Sequence, residues 1–314
     1  MAPSGSPATP DARRRWRPPY DVDLVAVLGP FQRGGGDPVT LVAGDGAVWR
    51  ASRTPDGVGT LRLSVRDGEV DASAWGDGAD WLVDSIPDLL GADDDPTGFP
   101  ADELPEVLAA PWRRLGRRWR VPRSRLVLEA LLIAILEQKV TGVQSRRAWR
   151  SMLRDVGEPA PGPTPRPMHA LPDAGVLRRV PSWQWHRWGV GPHQSATIMR
   201  VLQSPTRIAE CADVPVEEAA RRLESIPGVG GWTVAEVSQR ALGDADAVSF
   251  GDYHVAHHVV FAFTGAMDGT DERMAELLTP FAGHRYRVQR LVEVSGVARP
   301  ARGPRMTIAD HRSR

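Results

Sequence analysis

Residues 223–264, LESIPGVGGWTVAEVSQRALGDADAVSFGDYHVAHHVVFAFT, constrain the chain more than any other stretch. Upstream, Ala219, Ala220, Leu223 and Ile226 recur at helical spacing among Glu217, Glu218, Arg221, Arg222 and Glu224, which predicts an amphipathic helix. Pro227-Gly228 ends it, and helical periodicity resumes over 232–242. Gly228, Val229, Gly230 and Gly231 must therefore reverse the chain within a few residues, using glycine's access to positive φ. The pattern predicts a helix-hairpin-helix. Bare amides at Gly228, Val229 and Gly230, ahead of a helix whose dipole adds positive charge, suit a phosphate, and such a grip reads no base sequence. Thr233, in the first turn of the second helix, joins this candidate DNA-binding set. A plain helical corner with a glycine C-cap uses the same residues, so the turn alone leaves both readings open.

About 20 residues on, Gly251-Asp252 precedes a third helical pattern carried by Val255, Val259, Val260 and Phe263. Asp252 is thus expected as a cap or first-turn residue, a position aspartate favours on structural grounds. A carboxylate there also faces whatever cation develops in front of the helix. His254, His257 and His258 share the face, but with one cysteine in the chain and no HExxH pattern they are not read as a metal site.

Taken together, I-P-G-V-G-x-W-T, then A-L-G-D-x-D-A-V, then G-D-x-H-V resemble the helix-hairpin-helix base-excision DNA glycosylases, specifically their alkylation-repair, 3-methyladenine branch. The resemblance implies that Asp252 is the catalytic aspartate. It implies that Gln138 and Lys139, at the end of a central helix, fill the gap left by an extruded base. It also implies that Trp232 and Tyr253 belong to the base pocket, with Glu236 standing where a second pocket aromatic is expected. Bifunctional relatives carry a lysine at the place of Trp232. Lys139 is the only lysine in this chain, so no lyase step is expected. Cys211 is the only cysteine, which excludes both an internal disulfide and the four-cysteine iron–sulfur cluster of some relatives, and no cofactor is implied. The implied partner is damaged double-stranded DNA, acted on by a monomer. Two alternatives stay open: a non-catalytic hairpin DNA-binding protein, and a glycosylase for deaminated bases.

The remainder of the 314 residues reads as support, in an α+β arrangement. Residues 1–18 are small, proline-rich and then basic, and are expected as a disordered tail. Short, partly alternating segments around Val39, Val48, Leu63 and Ala72, punctuated by Asp45-Gly46, Asp56-Gly57 and Asp67-Gly68, predict a small antiparallel sheet domain over 19–105, with a helix near 80–90. Residues 106–300 predict an all-α bundle whose centre is the almost wholly apolar 125–136, and 301–314 a basic, disordered tail. Residues 112–120 interleave tryptophan with arginine, compatible with either DNA contact or an amphipathic linker. Of Trp183, Trp185 and Trp188, at least one is expected in the core. The formal charge is zero, yet residues 19–105 hold 17 acids and 5 bases while 106–314 hold 30 bases and 21 acids. A basic helical part is what a phosphate surface needs, and the acidic sheet domain is expected to be structural. With no long apolar run and no hydrophobic leader, the sequence predicts a cytoplasmic, nucleoid-associated protein.

Overall fold

Three Asp-Gly turns fix the hairpins of a five-stranded antiparallel sheet in the computed structural model, which describes residues 9–116, 118–297 and 299. The strands are β1 (Ala12–Trp16), β2 (Thr40–Val42), β3 (Val48–Thr54), β4 (Gly57–Arg66) and β5 (Glu69–Trp75), in spatial order β1-β5-β4-β3-β2. Alternation then sorts the faces. Val48, Leu61, Leu63, Val70, Ala72 and Ala74 pack against α1 (Leu24–Leu28), α2 (Ala79–Asp84) and α3 (Ile86–Leu89).

Strand β1 corrects the expectation of a tail through residue 18. Ala12 pairs with Ala74 and Trp16 with Val70, and Nη1 of Arg14 donates to the carbonyl of Val83 at 3.1 Å, where α2 ends. Residues 1–8 and 301–314, the other parts of the expected tails, lie outside the described residues.

The helical part runs α4 (Glu106–Leu115), α5 (Val127–Glu137), α6 (Gly142–Val156), α7 (Ala174–Arg178), α8 (Ser182–Arg187), α9 (Pro192–Val201), α10 (Pro205–Ala209), α11 (Val216–Glu224), α12 (Gly231–Val237), α13 (Val255–Thr264), α14 (Asp271–Leu278) and α15 (Arg285–Ser295). Its centre is α5, as the apolar run predicts: every residue from 129 to 136 is buried, among α6, α9, α10 and α12. At roughly 1.5–3 kcal/mol for each buried large aliphatic side chain, α5 is the main hydrophobic anchor of the bundle. Trp185 and Trp188 join this core edge to face while Trp183 is 63% exposed. Within 112–120 the tryptophans pack, Trp112 against Phe99 and buried Trp119 against Tyr286, while Arg113, Arg114 and Arg118 are exposed.

Arginine–carboxylate pairs stitch the sheet domain to the bundle. Arg50 meets Glu129 of α5 with both side chains buried, Arg33 bonds Glu137 at 2.8 Å, and Arg53 reaches Glu158. In the opposite sense, acids of the run 88–95 hold bundle arginines: Asp94 pairs with buried Arg287, Asp93 with Arg123 at 3.3 Å, and Asp88 with Arg125 at 3.6 Å. Burial pushes the Glu129 carboxyl above the usual range, and Arg50 only partly offsets it. No helix among the described residues is long and apolar enough to cross a membrane.

Candidate active site and nucleic-acid interface

The hairpin forms where the sequence places it. Helix α11 stops at Ser225, the amide of Val229 closes a tight turn on the carbonyl of Ile226 at 2.9 Å, and α12 begins after Gly230. Gly228 adopts φ +98°, and a Cβ there would lie 2.3 Å from the hydroxyl of Thr197 on α9. The glycine is required twice over, by backbone conformation and by close approach. Gly230 and Gly231 donate no backbone hydrogen bond within the described residues, which leaves their amides at the mouth of α12. Val229 departs from the expected grip: its amide is committed to Ile226 and its side chain is buried in the bundle core.

Gln138 and Thr233 also depart from expectation. Nε2 of Gln138 donates to the carbonyl of Gly228 at 3.0 Å and to Oγ1 of buried Thr233 at 2.9 Å. Together they staple the end of α5 to the hairpin. Gln194, in the first turn of α9, completes the staple. Its Nε2 donates to the carbonyls of Ile135, Leu136 and Gln138 at 3.3, 3.0 and 3.1 Å, satisfying the orphaned C-terminus of α5. Lys139 is what remains to project. It is exposed, and it holds φ +54°, a conformation costing a non-glycine residue on the order of 1–2 kcal/mol. The fixed partners on either side of it impose that turn.

Asp252 stands at the entrance to α13, as predicted. Its Oδ1 accepts from the amides of His254 and Val255 at 2.7 and 3.0 Å, and its Oδ2 accepts from the indole N–H of half-buried Trp232 at 3.2 Å. All its neighbours are donors, which is the arrangement a carboxylate needs. The contact with Trp232 brings the third helix of the motif onto the second. Tyr253 stands apart from that contact: it is 76% exposed and edge-on to His254 and His257. Behind Asp252, Glu236 is buried and bonded to Arg240 at 2.8 Å and to the Ser249 hydroxyl at 2.7 Å. Burial pushes its carboxyl up, but Arg240, the Ser249 hydroxyl and Arg33 outweigh burial and hold it below the ordinary glutamate range. No set of three or more histidine, cysteine, aspartate or glutamate side chains suited to a metal occurs among the described residues.

Sequence reasoning missed Gln194, Ser249, Gln239 and Gln289. The glutamines lie in helices beside other polar residues and Ser249 in the loop ahead of Asp252, so nothing local marks them until a partner is known.

No protein-family model matches the sequence, and no curated protein matches it. Solved structures do match the fold. A 3-methyladenine DNA glycosylase from Archaeoglobus fulgidus superposes with a TM-score of 0.74 at 17% identity, covering 90% of this chain and 98% of that one. The Ogg1 protein MBOgg1, solved with a low-affinity DNA ligand, gives 0.70 at 13% identity over 93% and 97% of the two chains. An 8-oxoguanine glycosylase/lyase from Clostridium acetobutylicum gives 0.66 at 11% identity over 90% and 95%. With 90–93% of this chain and 95–98% of those chains covered, the chain has the fold of the helix-hairpin-helix DNA glycosylases.

Proposed function

We propose that this chain is a monofunctional DNA glycosylase that flips an alkylated, 3-methyladenine-type base out of duplex DNA and hydrolyses its N-glycosidic bond. The observation that carries this reading is the Trp232–Asp252 contact, which fixes a carboxylate one helix away from the hairpin amides. Extrusion costs a few kcal/mol, least for a damaged base. The exposed Lys139 side chain, on a loop stapled to the hairpin, is placed to contact the strand beside the vacated stack. The amides of Gly230 and Gly231 meet a phosphate. As the base leaves, the sugar acquires oxocarbenium character, which Asp252 stabilises through space while a water adds at the anomeric carbon and the base departs with the bonding electron pair. Asp252 then takes the proton that the water gives up. An alkylated purine is already cationic and needs little protonation to leave.

A Schiff-base route would require an amine at the hairpin. Trp232 occupies that place, and the lone lysine lies on the α5–α6 loop. An intact abasic strand is therefore the expected product. Support for a duplex as partner comes from the DNA-bound state of several structural neighbours, among them the Clostridium acetobutylicum enzyme with duplex containing 8-oxoguanine opposite cytosine.

The test is release of methylated purines from alkylated duplex DNA, with a deaminated-base duplex in parallel, followed with and without alkali. Wild type is expected to release methylated base, with strand breaks only after alkali. Asp252→Asn should slow release by roughly 10²- to 10³-fold, the scale for losing one preorganised electrostatic group. Failure of wild type to release any base defeats the enzyme reading, and breaks without alkali defeat the monofunctional one.

A further inference from the structure

We propose that Glu236 is a positioning residue for Asp252, acting through the hydroxyl of Ser249. The inference rests on the glycosylase reading for its consequence in rate, but its geometry is independent of substrate. Glu236 lies one helical turn after Trp232 on α12, so that helix reaches the Asp252 segment twice: Trp232 bonds the carboxylate itself, and Glu236 bonds Ser249, three residues earlier.

Ser249 is fully buried, and its hydroxyl has one donor and two acceptor sites. Nε2 of Gln239 at 2.9 Å and Nε2 of Gln289 at 3.1 Å fill the acceptor sites. Its proton must therefore go to an acceptor, and Oε1 of Glu236 at 2.7 Å is that acceptor. The same groups hold the main chain. Oε1 of Gln289 accepts from the Ser249 amide at 3.0 Å, and Nε2 of Gln239 donates to the carbonyl of Ala247 at 2.9 Å. The carbonyl of Ser249 in turn accepts from the Asp252 amide at 3.2 Å, closing the turn that delivers the carboxylate.

Glu236 is itself fixed. Its Oε2 bonds Arg240, whose Nε donates to the carbonyl of Pro30 in the sheet domain at 3.2 Å. With both oxygens engaged, Glu236 presents neither to a base. The residue that the family resemblance places in the pocket acts here as a bracket behind it. A buried, charge-assisted bond is short and directional, which suits it to setting the position of a loop.

Ser249→Ala is the probe, because it removes the hydroxyl and leaves the Glu236–Arg240 pair in place. In single-turnover release from alkylated duplex, the rate should fall roughly 10- to 100-fold, the scale for slight misplacement of a catalytic group. Affinity for duplex carrying an abasic-site analogue should be unchanged. Ser249→Cys, a weaker donor, should fall between. In the Asp252→Asn background Ser249→Ala should cost nothing further, whereas a general loss of integrity would reduce the residual rate again.

A readout that needs no activity accompanies these. Ser249→Ala should accelerate hydrogen exchange of the Trp232 indole N–H and move the carbon-13 resonance of the Asp252 carboxyl. Wild-type exchange and an unmoved Asp252 resonance in a folded Ser249→Ala protein overturn the proposal whether or not any base is released. A wild-type release rate, or a loss additive with Asp252→Asn, overturns it where release is measured. If wild type releases nothing but the Trp232 and Asp252 signals respond, the positioning role stands and the glycosylase reading falls.

Discussion

Gly228→Ala isolates the geometry of the hairpin, since two separate costs meet at one atom. The first is conformational: φ is +98°, and forcing an L-residue into the left-handed region costs about 1–2 kcal/mol. The second is steric: the new Cβ would sit 2.3 Å from Oγ1 and 3.0 Å from Cγ2 of Thr197. Thr197 is fully buried and its hydroxyl is anchored on the carbonyl of His193 at 3.0 Å, so it cannot swing away, and overpacking of this kind costs about 1–3 kcal/mol. Together they predict a loss of about 2–5 kcal/mol in urea unfolding at neutral pH. The two parts separate in a double-mutant cycle. Thr197→Ala removes both closest atoms, so in its background Gly228→Ala should cost only the conformational part, about 1–2 kcal/mol. Affinity for duplex, read by fluorescence anisotropy, should fall in the single variant and recover partly in the double. A Gly228→Ala protein within about 0.5 kcal/mol of wild type would refute the conformational argument. An undiminished cost in the Thr197→Ala background would refute the steric one.

Two further outcomes follow from the polar networks. Gln138→Ala removes both bonds of the staple between α5 and the hairpin and strands the Gly228 carbonyl and Thr233 hydroxyl; it should cost about 1–3 kcal/mol in urea and weaken duplex binding more than Lys139→Ala weakens stability. Acid should destabilise through carboxylates held below their ordinary range. Burial raises Glu236 and Asp246, but Arg240 and the Ser249 hydroxyl on one, and Arg285 on the other, bring both below it. Their stabilisation is complete above the unfolded values of about 4.3 for the glutamate and 3.9 for the aspartate, and is lost as pH falls below these through the folded ones. The urea midpoint should therefore drop steeply below about pH 4.5, and less steeply in Arg285→Gln; a midpoint that rises on acidification contradicts the assignment.

Local chemistry made the hairpin, the central α5, the Asp-Gly sheet and Asp252 legible, since each follows from periodicity, turn residues or a cap within a few positions. Strand β1 was missed because Arg13-Arg14-Arg15 reads as a basic tail, although the alternation of buried Ala12 with exposed Arg13 and Arg15 has the period of a strand. Gln138 and Thr233 read as DNA contacts, and Val229 as part of the phosphate grip, because nothing local shows that the Gln138 amide nitrogen, the Thr233 hydroxyl and the Val229 amide are engaged within the protein. Tyr253 is implied in the base pocket by the resemblance, and its ring lies exposed against His254 and His257. The Ser249 bracket joins positions 236, 239, 249 and 289, and only the packed bundle brings these together.

The stitching of acidic sheet to basic bundle changes what the charge asymmetry means. Arg123 and Arg287 are counted in the positive surplus of the bundle, yet Asp93 and Asp94 of the N-terminal part already hold them. That domain is thus a tethered counter-ion, neutralising part of the bundle at an effective concentration that no free polyanion matches. In the proposed complex with duplex, arginines held in this way neutralise no phosphate, so the salt dependence of binding should reflect fewer cations than the positive surplus of the bundle.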